Sequence, residues 1–454
     1  MGHVYPYNTE RGDSSSVQRE SARPRNDKEQ KTMELEQKLA ILSEAARYDA
    51  SCASSGSDRQ APKSGGLGGT CKAGICHSWS DDGRCISLLK VLMSNACMFN
   101  CAYCANRCSS NIERATLTPH EIATLTTEFY RRNYIEGLFI SSGVVKNADY
   151  TMELMAETVR LLRTEYKFYG YIHAKVIPGA DPLLIQRIGL LADRISVNIE
   201  LPSADSLKLL APQKSKEKIL TPMAQIRRMK EQNLAERRQF RSAPKFAPSG
   251  QSTQMIVGAT GDSDAKILSL TSGLYKHYRL KRVYFSAYVP VGNHPALPPA
   301  DIKTPLRREH RLYQADWLLR LYQFDVSEIT EEGENLDEAV DPKCSWALRH
   351  LDFFPVEINT ADEQTLLRVP GIGLVSSGRI IEARRSRSLE AEDLRKLGVV
   401  VKRAKYFITC KGKLCVKHAF APEILHELLA DARDDPNQMT LAETSRPQLC
   451  AAGA

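Results

Sequence analysis

The chain has 454 residues, 42% hydrophobic and 26% charged, with a formal net charge of +8. That length allows two to four domains at roughly 100–200 residues each, and the composition is that of an ordinary soluble protein. No apolar run approaches the roughly 20 residues of a membrane span, and the polar start, MGHVYPYNTERGDSSSVQRESARPRNDKEQ, has no apolar signal core, so a cytoplasmic protein is expected.

Residues 1–32, rich in Ser, Arg, Glu and Asn, are expected to be disordered. Met33 to Ala50 reads as a helix, with Leu35, Leu39, Leu42 and Ala46 at helical spacing, and residues 51–70 as a Gly/Ser-rich connection. From about residue 86 strands and helices alternate. The strands are Ser87–Ser94, Gly137–Ser142, Gly170–Val176, Arg194–Glu200, Thr253–Gly258 and Arg282–Tyr288. The helices between them are Thr118–Asn133, Met152–Glu165, Pro182–Leu191, Thr221–Phe240 and Asp264–His277. Six strands spaced by helices predict a parallel sheet with right-handed crossovers. The first βα loop carries cysteines and no glycine fingerprint, so a partial (β/α)6 TIM-like barrel over residues 86–290 fits better than an open nucleotide-binding sheet. Chemistry in such a barrel gathers at the C-terminal ends of the strands. Residues 291–340 supply a Pro-rich crossing, a helix Leu306–Phe324 and an acidic linker. A small all-α unit follows over 341–430, and then a polar tail, 431–454.

The first strand runs into Cys97-Met-Phe-Asn-Cys101-Ala-Tyr-Cys104-Ala-Asn-Arg-Cys108, four cysteines in twelve residues. In a long chain without an export signal, such spacing points to a metal or cluster and away from disulfides. Three thiolates this close can hold three irons of a four-iron cluster and leave the fourth open, an arrangement suited to catalysis. The alternative is zinc with Cys108 as fourth ligand, although zinc ligands usually come as two hooks separated by a longer loop. Upstream, Cys71, Cys76 and Cys85, with His77 as a spare ligand, are either a second metal site or cysteines packed near the first strand. Cys344, Cys410, Cys415 and Cys450 read as structural.

The spacing C-x3-C-x2-C, with Tyr103 before the third cysteine, resembles the hallmark of radical S-adenosylmethionine (SAM) enzymes. The resemblance implies a [4Fe-4S] cluster on Cys97, Cys101 and Cys104 whose open iron takes the amino and carboxylate groups of SAM. Reductive cleavage would then give a 5′-deoxyadenosyl radical that abstracts a substrate hydrogen, with flavodoxin or ferredoxin as electron donor. It also implies cofactor contacts at Tyr103 and at the second strand's end, Ser141-Ser142-Gly143, where many members carry Gly-Gly-Glu. Further contacts are implied at Asn198 and Glu200, placed to reach a ribose, and at Thr253 to Gly258, beside the adenine. Lys175, ending the third strand, is placed to pair with a carboxylate or phosphate. For these strand-end residues, plain solvation is the competing explanation.

Residues 359–418 hold thirteen Lys/Arg against six Asp/Glu, a local +7, which points to an anionic polymer. Within them, Thr360 and Glu363 form a capping-box signature for a short helix through Arg368. Pro370-Gly371-Ile372-Gly373 then makes a tight hairpin before a second helix. This resembles the helix-hairpin-helix of DNA repair and recombination proteins, whose glycines let backbone N–H groups approach a phosphate. Arg379, Arg384, Arg385 and Arg387 lie near enough to extend such a contact. Asp393 to Phe407 is a weaker second copy or a packing partner, and a solvated basic face is the bland alternative for the whole unit.

Both motifs together resemble a family of DNA modification/repair radical SAM proteins. The likeness extends over about residues 40–415 and includes Ile75-Cys-His-Ser-Trp79, Asp82-Gly-Arg-Cys85, Tyr130-Arg-Arg-Asn-Tyr134, Leu312-Tyr-Gln-Ala-Asp-Trp317 and Leu366-Leu-Arg-Val-Pro-Gly-Ile-Gly373. Members look bacterial and are commonly encoded beside a protein similar to uracil-DNA glycosylase, which implies a repair or modification setting. The expectation is a radical SAM enzyme acting on a base or sugar in DNA. The alternatives are a non-catalytic iron–sulfur or zinc DNA-binding protein, and a radical SAM enzyme acting on RNA.

Overall fold

The computed structural model describes residues 33–46, 75–79, 85–291, 294–416 and 421–430. The expectations for residues 1–32, for the 51–70 connection, for Cys71 and for Cys450 lie outside them. After a first helix, α1 (Leu35–Ala45), a seven-stranded sheet runs β1 (Ile75–Trp79), β2 (Cys85–Leu92), β3 (Gly137–Ser141), β4 (Tyr171–Lys175), β5 (Arg194–Ser196), β6 (Gln251–Val257) and β7 (Arg282–Ala287), in spatial order β1 to β7. β1 pairs antiparallel with β2, and every pair from β2 to β7 is parallel. This is the partial (β/α)6 barrel that the strand–helix alternation predicts.

The crossover helices are α2 (Pro119–Arg131), α3 (Ala148–Thr164), α4 (Pro182–Leu191), α5 (Ala204–Leu210), α6 (Lys216–Gln239) and α7 (Asp264–Tyr278). Each starts on a short polar cap that accepts a backbone N–H: Thr118, Asn147, Asp181, Ser203, Ser215 and Ser263. Register puts Val91, Ile140, Ala174 and Ile195 on one face of the sheet, all fully buried. The other face carries Lys90, Phe139, His173 and Arg194 at one level. Parallel strands buried on both sides normally read as continuous apolar runs. Here that face carries buried polar groups, and farther along, at Leu92 and Lys175, it reaches a cavity.

β5 is shorter than the sequence predicts. Its ladder stops at Ser196 because the Thr253 hydroxyl takes the Ile199 N–H (2.8 Å), replacing a backbone partner. The chain rejoins β6 through an isolated bridge, Glu200 to Met255, with Glu200 held at φ +64°. β1 and α5 have no counterpart in the expected elements. β1 lies inside a stretch whose cysteines draw attention to ligand spacing, and α5 spans only two turns.

β7 would leave a bare edge, but α8 (Leu306–Leu321) and α7 cap it with side chains. The Val283 N–H donates to Tyr275 Oη (3.0 Å), and the Phe285 N–H donates to Tyr313 Oη (3.0 Å), which donates back to the Phe285 carbonyl (2.8 Å). The Ala287 N–H donates to Glu309 Oε2 (2.5 Å). Every second amide of the edge is thus satisfied, and pairing with another chain is blocked.

Beyond α8 come α9 (Val326–Ile329), α10 (Pro342–Arg349), β8 (Val356–Glu357), α11 (Glu363–Arg368), α12 (Leu374–Ala383), α13 (Ala391–Lys396), α14 (Val401–Ala404), β9 (Ile408–Cys410), β10 (Lys413–Leu414) and α15 (Pro422–Leu429). The helical C-terminal region therefore also contains a small sheet, in order β10-β9-β8. An aromatic cluster of Phe324, Trp346, His350, Phe354 and Phe407 packs within it, with the exposed Phe353 at its margin. Arg368 of α11 lies 3.8 Å above the Phe324 ring and pairs with Glu328 (2.7 Å). The cap of α11 is Asp362, which accepts the Thr365 N–H, and not Thr360, whose amide closes a turn onto Glu357. Among the described residues no helix is long and apolar enough to cross a membrane.

Burial raises the Glu309 carboxyl to about 7, opposed by the Ala287 N–H. Its folded value lies above its unfolded one, so its contribution is complete below about pH 4.5 and is lost as pH rises through about 7. Between about pH 5 and pH 8, wild type should lose up to roughly 3 kcal/mol relative to Glu309→Gln in paired urea titrations. A difference that does not change with pH would contradict this.

Candidate active site

The cysteines lie on an irregular loop between β2 and α2. The loop is pinned at its base by a bridge from Ser94 to Thr116. Irregular backbone needs partners for its polar groups, and three side chains supply them. Asn95 donates to the Glu113 carbonyl (2.8 Å) and accepts the Ala115 N–H (2.8 Å). The Arg114 guanidinium donates to the carbonyls of Asn95 (2.5 Å), Asn106 (2.9 Å), Arg107 (2.7 Å) and Ser110 (2.9 Å). Arg107 joins the Cys104 carbonyl to that of Val291, just past β7 (3.1 Å each). The Ala102 N–H donates to the Leu210 carbonyl at the end of α5 (2.7 Å).

Beside this loop, the end of β3 comes very close. The Gly143 N–H donates to the Ser94 carbonyl (2.7 Å), and Cys97 Sγ accepts the N–H groups of Phe99 and Val144 (3.4 Å each). A Cβ on Gly143 would stand 2.9 Å from the Ala96 carbonyl oxygen and 3.1 Å from Cys97 Cβ. Gly143 is required there by proximity, not by an unusual dihedral.

The loop opens onto a cavity at the C-terminal ends of the strands. Its wall includes Cys97, Cys101, Tyr103, Cys104, Ser142, Gly143, Lys175, Asn198 and Glu200, and also Lys214 and Gln254. Ser141 and Gly258 are not on that wall. Ser141 is in register with Leu92, its hydroxyl buried without a hydrogen-bond partner, and Gly258 (φ +84°) makes room for Pro305 before α8. Lys214, from the α5–α6 loop, pairs with Glu200 (2.8 Å) and lies 5.9 Å from the Tyr103 ring centre. Burial would lower the Lys214 ammonium, but the charge of Glu200 and then Tyr103 and Cys101 hold it well above its ordinary value. Lys214, Arg107 and Arg114 belong to no sequence motif. Lys214 and Arg107 act where separate loops meet, whereas Arg114 bonds only carbonyls of its own loop.

The donor set suits a cluster. Burial raises the thiols of Cys101 and Cys104, the latter to about 11, while Lys214 opposes the rise at both. Binding must therefore expel protons as thiolates form. Lys214 is the cation acting on both thiols, while Arg107 and Arg114 hold the loop through its carbonyls. Two buried polar atoms on the cavity wall, Tyr103 Oη and Asn106 Oδ1, make no geometrically sound hydrogen bond, as expected of a cradle awaiting a polar ligand. Among the described residues no three His, Cys, Asp or Glu side chains converge on a single ion. Zinc would need its sulfurs about 3.8 Å apart, from tetrahedral Zn–S bonds near 2.3 Å. Cys76 and Cys85 stand on β1 and β2. Cys410 and Cys415 face each other across the β9–β10 turn, with sulfurs 3.7 Å apart.

In the C-terminal region, Pro370 and Ile372 are buried and Gly371 takes φ +83°. A Cβ on Gly371 would lie 2.6 Å from the Val400 carbonyl oxygen, because the 397–400 turn packs against the hairpin and the Val400 N–H donates to the Gly371 carbonyl (2.9 Å). The Gly373 N–H is taken by Ser376 Oγ (2.8 Å), and Lys343 donates to the Ile372 carbonyl from beneath (2.5 Å). The arginines divide by environment. Arg384 donates to the carbonyls of Ile358 and Ala361 (2.9 and 2.6 Å), Arg385 pairs with Glu382, and Arg387 pairs with Asp393. Arg379 is exposed beside Gly398, and Lys402 is exposed on α14.

No family model matches the sequence, and no curated protein matches it. Among solved structures the chain is similar to the FeFe-hydrogenase maturase HydG, at 14% identity and TM-score 0.38, over 50% of this chain and 48% of that one. It is similar to methylornithine synthase PylB, at 14% identity and TM-score 0.39, over 61% and 66%. It is also similar to a radical SAM methyltransferase from Sphaerobacter thermophilus, at 15% identity and TM-score 0.35, over 53% and 70%. The chain spans about half the length of the maturase. Likeness this distant does not establish chemistry, which has to rest on the chain's own residues.

Gly143→Ala tests the close approach at Cys97. Because the nearest obstacle is backbone, the substitution should cost roughly 1–3 kcal/mol of stability by denaturant titration. Unchanged stability would show that the two loops are not packed as described.

Proposed function

We propose that this chain is a radical SAM enzyme that modifies or repairs a base or sugar in DNA. The observation that carries the enzymatic half is the shared cavity: three closely spaced cysteines on a braced loop open onto the same strand-end polar groups. When bound, the cluster and SAM supply an electron and a 5′-deoxyadenosyl radical able to remove a substrate hydrogen atom. Cys97, Cys101 and Cys104 are the iron ligands. Asn198 and Glu200 accept from ribose hydroxyls, and Lys214, 2.8 Å from Glu200, holds that carboxylate in place. Ser142 and neighbouring carbonyls accept from the SAM ammonium. The buried part of the wall, with Cys101, Asn198 and Glu200, limits water at the reacting atoms. The electron comes from a donor of flavodoxin or ferredoxin type.

The DNA half rests on the basic hairpin unit. Two of its exposed cations, Arg379 and Lys402, flank the hairpin and the 397–400 turn that packs on it, an arrangement suited to phosphates and indifferent to sequence. A base inside a duplex would have to be unpaired to enter the barrel mouth.

Anaerobically reconstituted and reduced protein should convert SAM to 5′-deoxyadenosine, and Cys101→Ala should abolish this. An intact cluster yielding no 5′-deoxyadenosine would defeat the enzymatic reading. Arg379→Ala with Lys402→Ala should weaken DNA binding at every sequence tried and flatten the salt slope by about one per charge removed, with SAM cleavage unchanged. Undiminished binding by the double variant, or preference for matched RNA, would overturn the DNA assignment.

A further inference from the structure

Arg114 sits ten residues beyond the last expected ligand, outside the cysteine motif. Its guanidinium nonetheless makes four hydrogen bonds, all to carbonyl oxygens of residues 95, 106, 107 and 110, which bracket Cys97, Cys101, Cys104 and Cys108. A planar fork of five donors can gather carbonyls from different parts of one loop, which the three donors of a lysine cannot do in the same plane. Among the described residues Arg114 has no carboxylate partner, so no ion pair cancels its charge within the loop that carries the thiols. Asn95 and Arg107 hold the loop's base and its outer rim, while the Arg114 guanidinium bonds carbonyls both before Cys97 and after Cys104.

We propose that Arg114 is the positioning residue of the cysteine loop: it fixes the peptide groups so that the three sulfurs are presented together, and its charge offsets theirs. This rests on the cluster assignment made above. Groups that orient metal ligands from the next shell typically cost about 10–100-fold in metal affinity when removed, and charge and hydrogen bonding near a cluster set its potential.

The test compares full-length wild type, Arg114→Lys and Arg114→Gln after anaerobic reconstitution. Iron per chain, loss of iron to an added chelator, and the electron paramagnetic resonance spectrum of the reduced cluster would be read. Arg114→Lys, which keeps the charge, should lose iron about tenfold faster than wild type. Arg114→Gln should lose it faster still and have a cluster harder to reduce. Circular dichroism of each apoprotein separates loss of the loop from loss of the fold. If either folded variant matches wild type in iron retention, spectrum and ease of reduction, the positioning role is wrong. If both variants unfold as apoproteins, Arg114 is a general fold residue and the specific proposal also falls. If wild type itself takes up no cluster, the cluster assignment fails first and this inference fails with it.

Discussion

The structure depends on keeping a long irregular loop rigid while leaving its sulfur atoms accessible. Backbone that belongs to neither helix nor sheet must find a partner for each buried N–H and C=O group. Between Ser94 and Thr116 those partners are mostly side chains of the loop itself: Asn95 at the base, Arg114 through the centre and Arg107 reaching past β7. Because most of these bonds are internal, the loop has a defined shape that requires no strand addition. Cys97 then accepts two amide N–H groups, one of them from the turn after β3, where only glycine fits.

The barrel serves that loop by dividing the sheet's two faces. One face is apolar and covered by helices. The other presents polar groups that rise toward the cavity, with Asn198 and Glu200 at the end of β5 and Lys175 at the end of β4. Burying Lys214 and Glu200 together is tolerable only because they are 2.8 Å apart. Breaking such a pair costs far more than the pair contributes. The same logic governs the far edge of the sheet, where Tyr275, Tyr313 and Glu309 satisfy the outer amides of β7 and allow an incomplete barrel to end without exposing a sticky strand.

Much of this was legible in the sequence because it is periodic or closely spaced. Strand and helix alternation is written in local hydrophobicity, and α4 begins at Pro182 and ends at Leu191, as its cap and apolar run require. Cys97, Cys101 and Cys104 stand within eight residues, so their shared use needs no knowledge of tertiary contacts. Lys214, Arg107 and Arg114 lack any such pattern. Lys214 and Arg107 matter where loops distant in sequence meet, as when Arg107 bonds Val291, and Arg114 matters through the irregular path of its own loop, which no periodicity announces. The hairpin shows the same limit. Pro370 to Gly373 is recognisable by composition, yet Arg384 is committed to two carbonyls while Arg379 remains exposed, and no local rule separates them.

The central proposal is that Cys97, Cys101 and Cys104 each ligate one iron of a four-iron cluster and leave the fourth iron open to SAM. Mössbauer spectroscopy of the iron-57 cluster addresses it directly, because each iron reports its own coordination. The account predicts one iron distinct from the other three, with parameters that move when SAM is added. Four irons unaffected by SAM, or a single mononuclear metal, would contradict it.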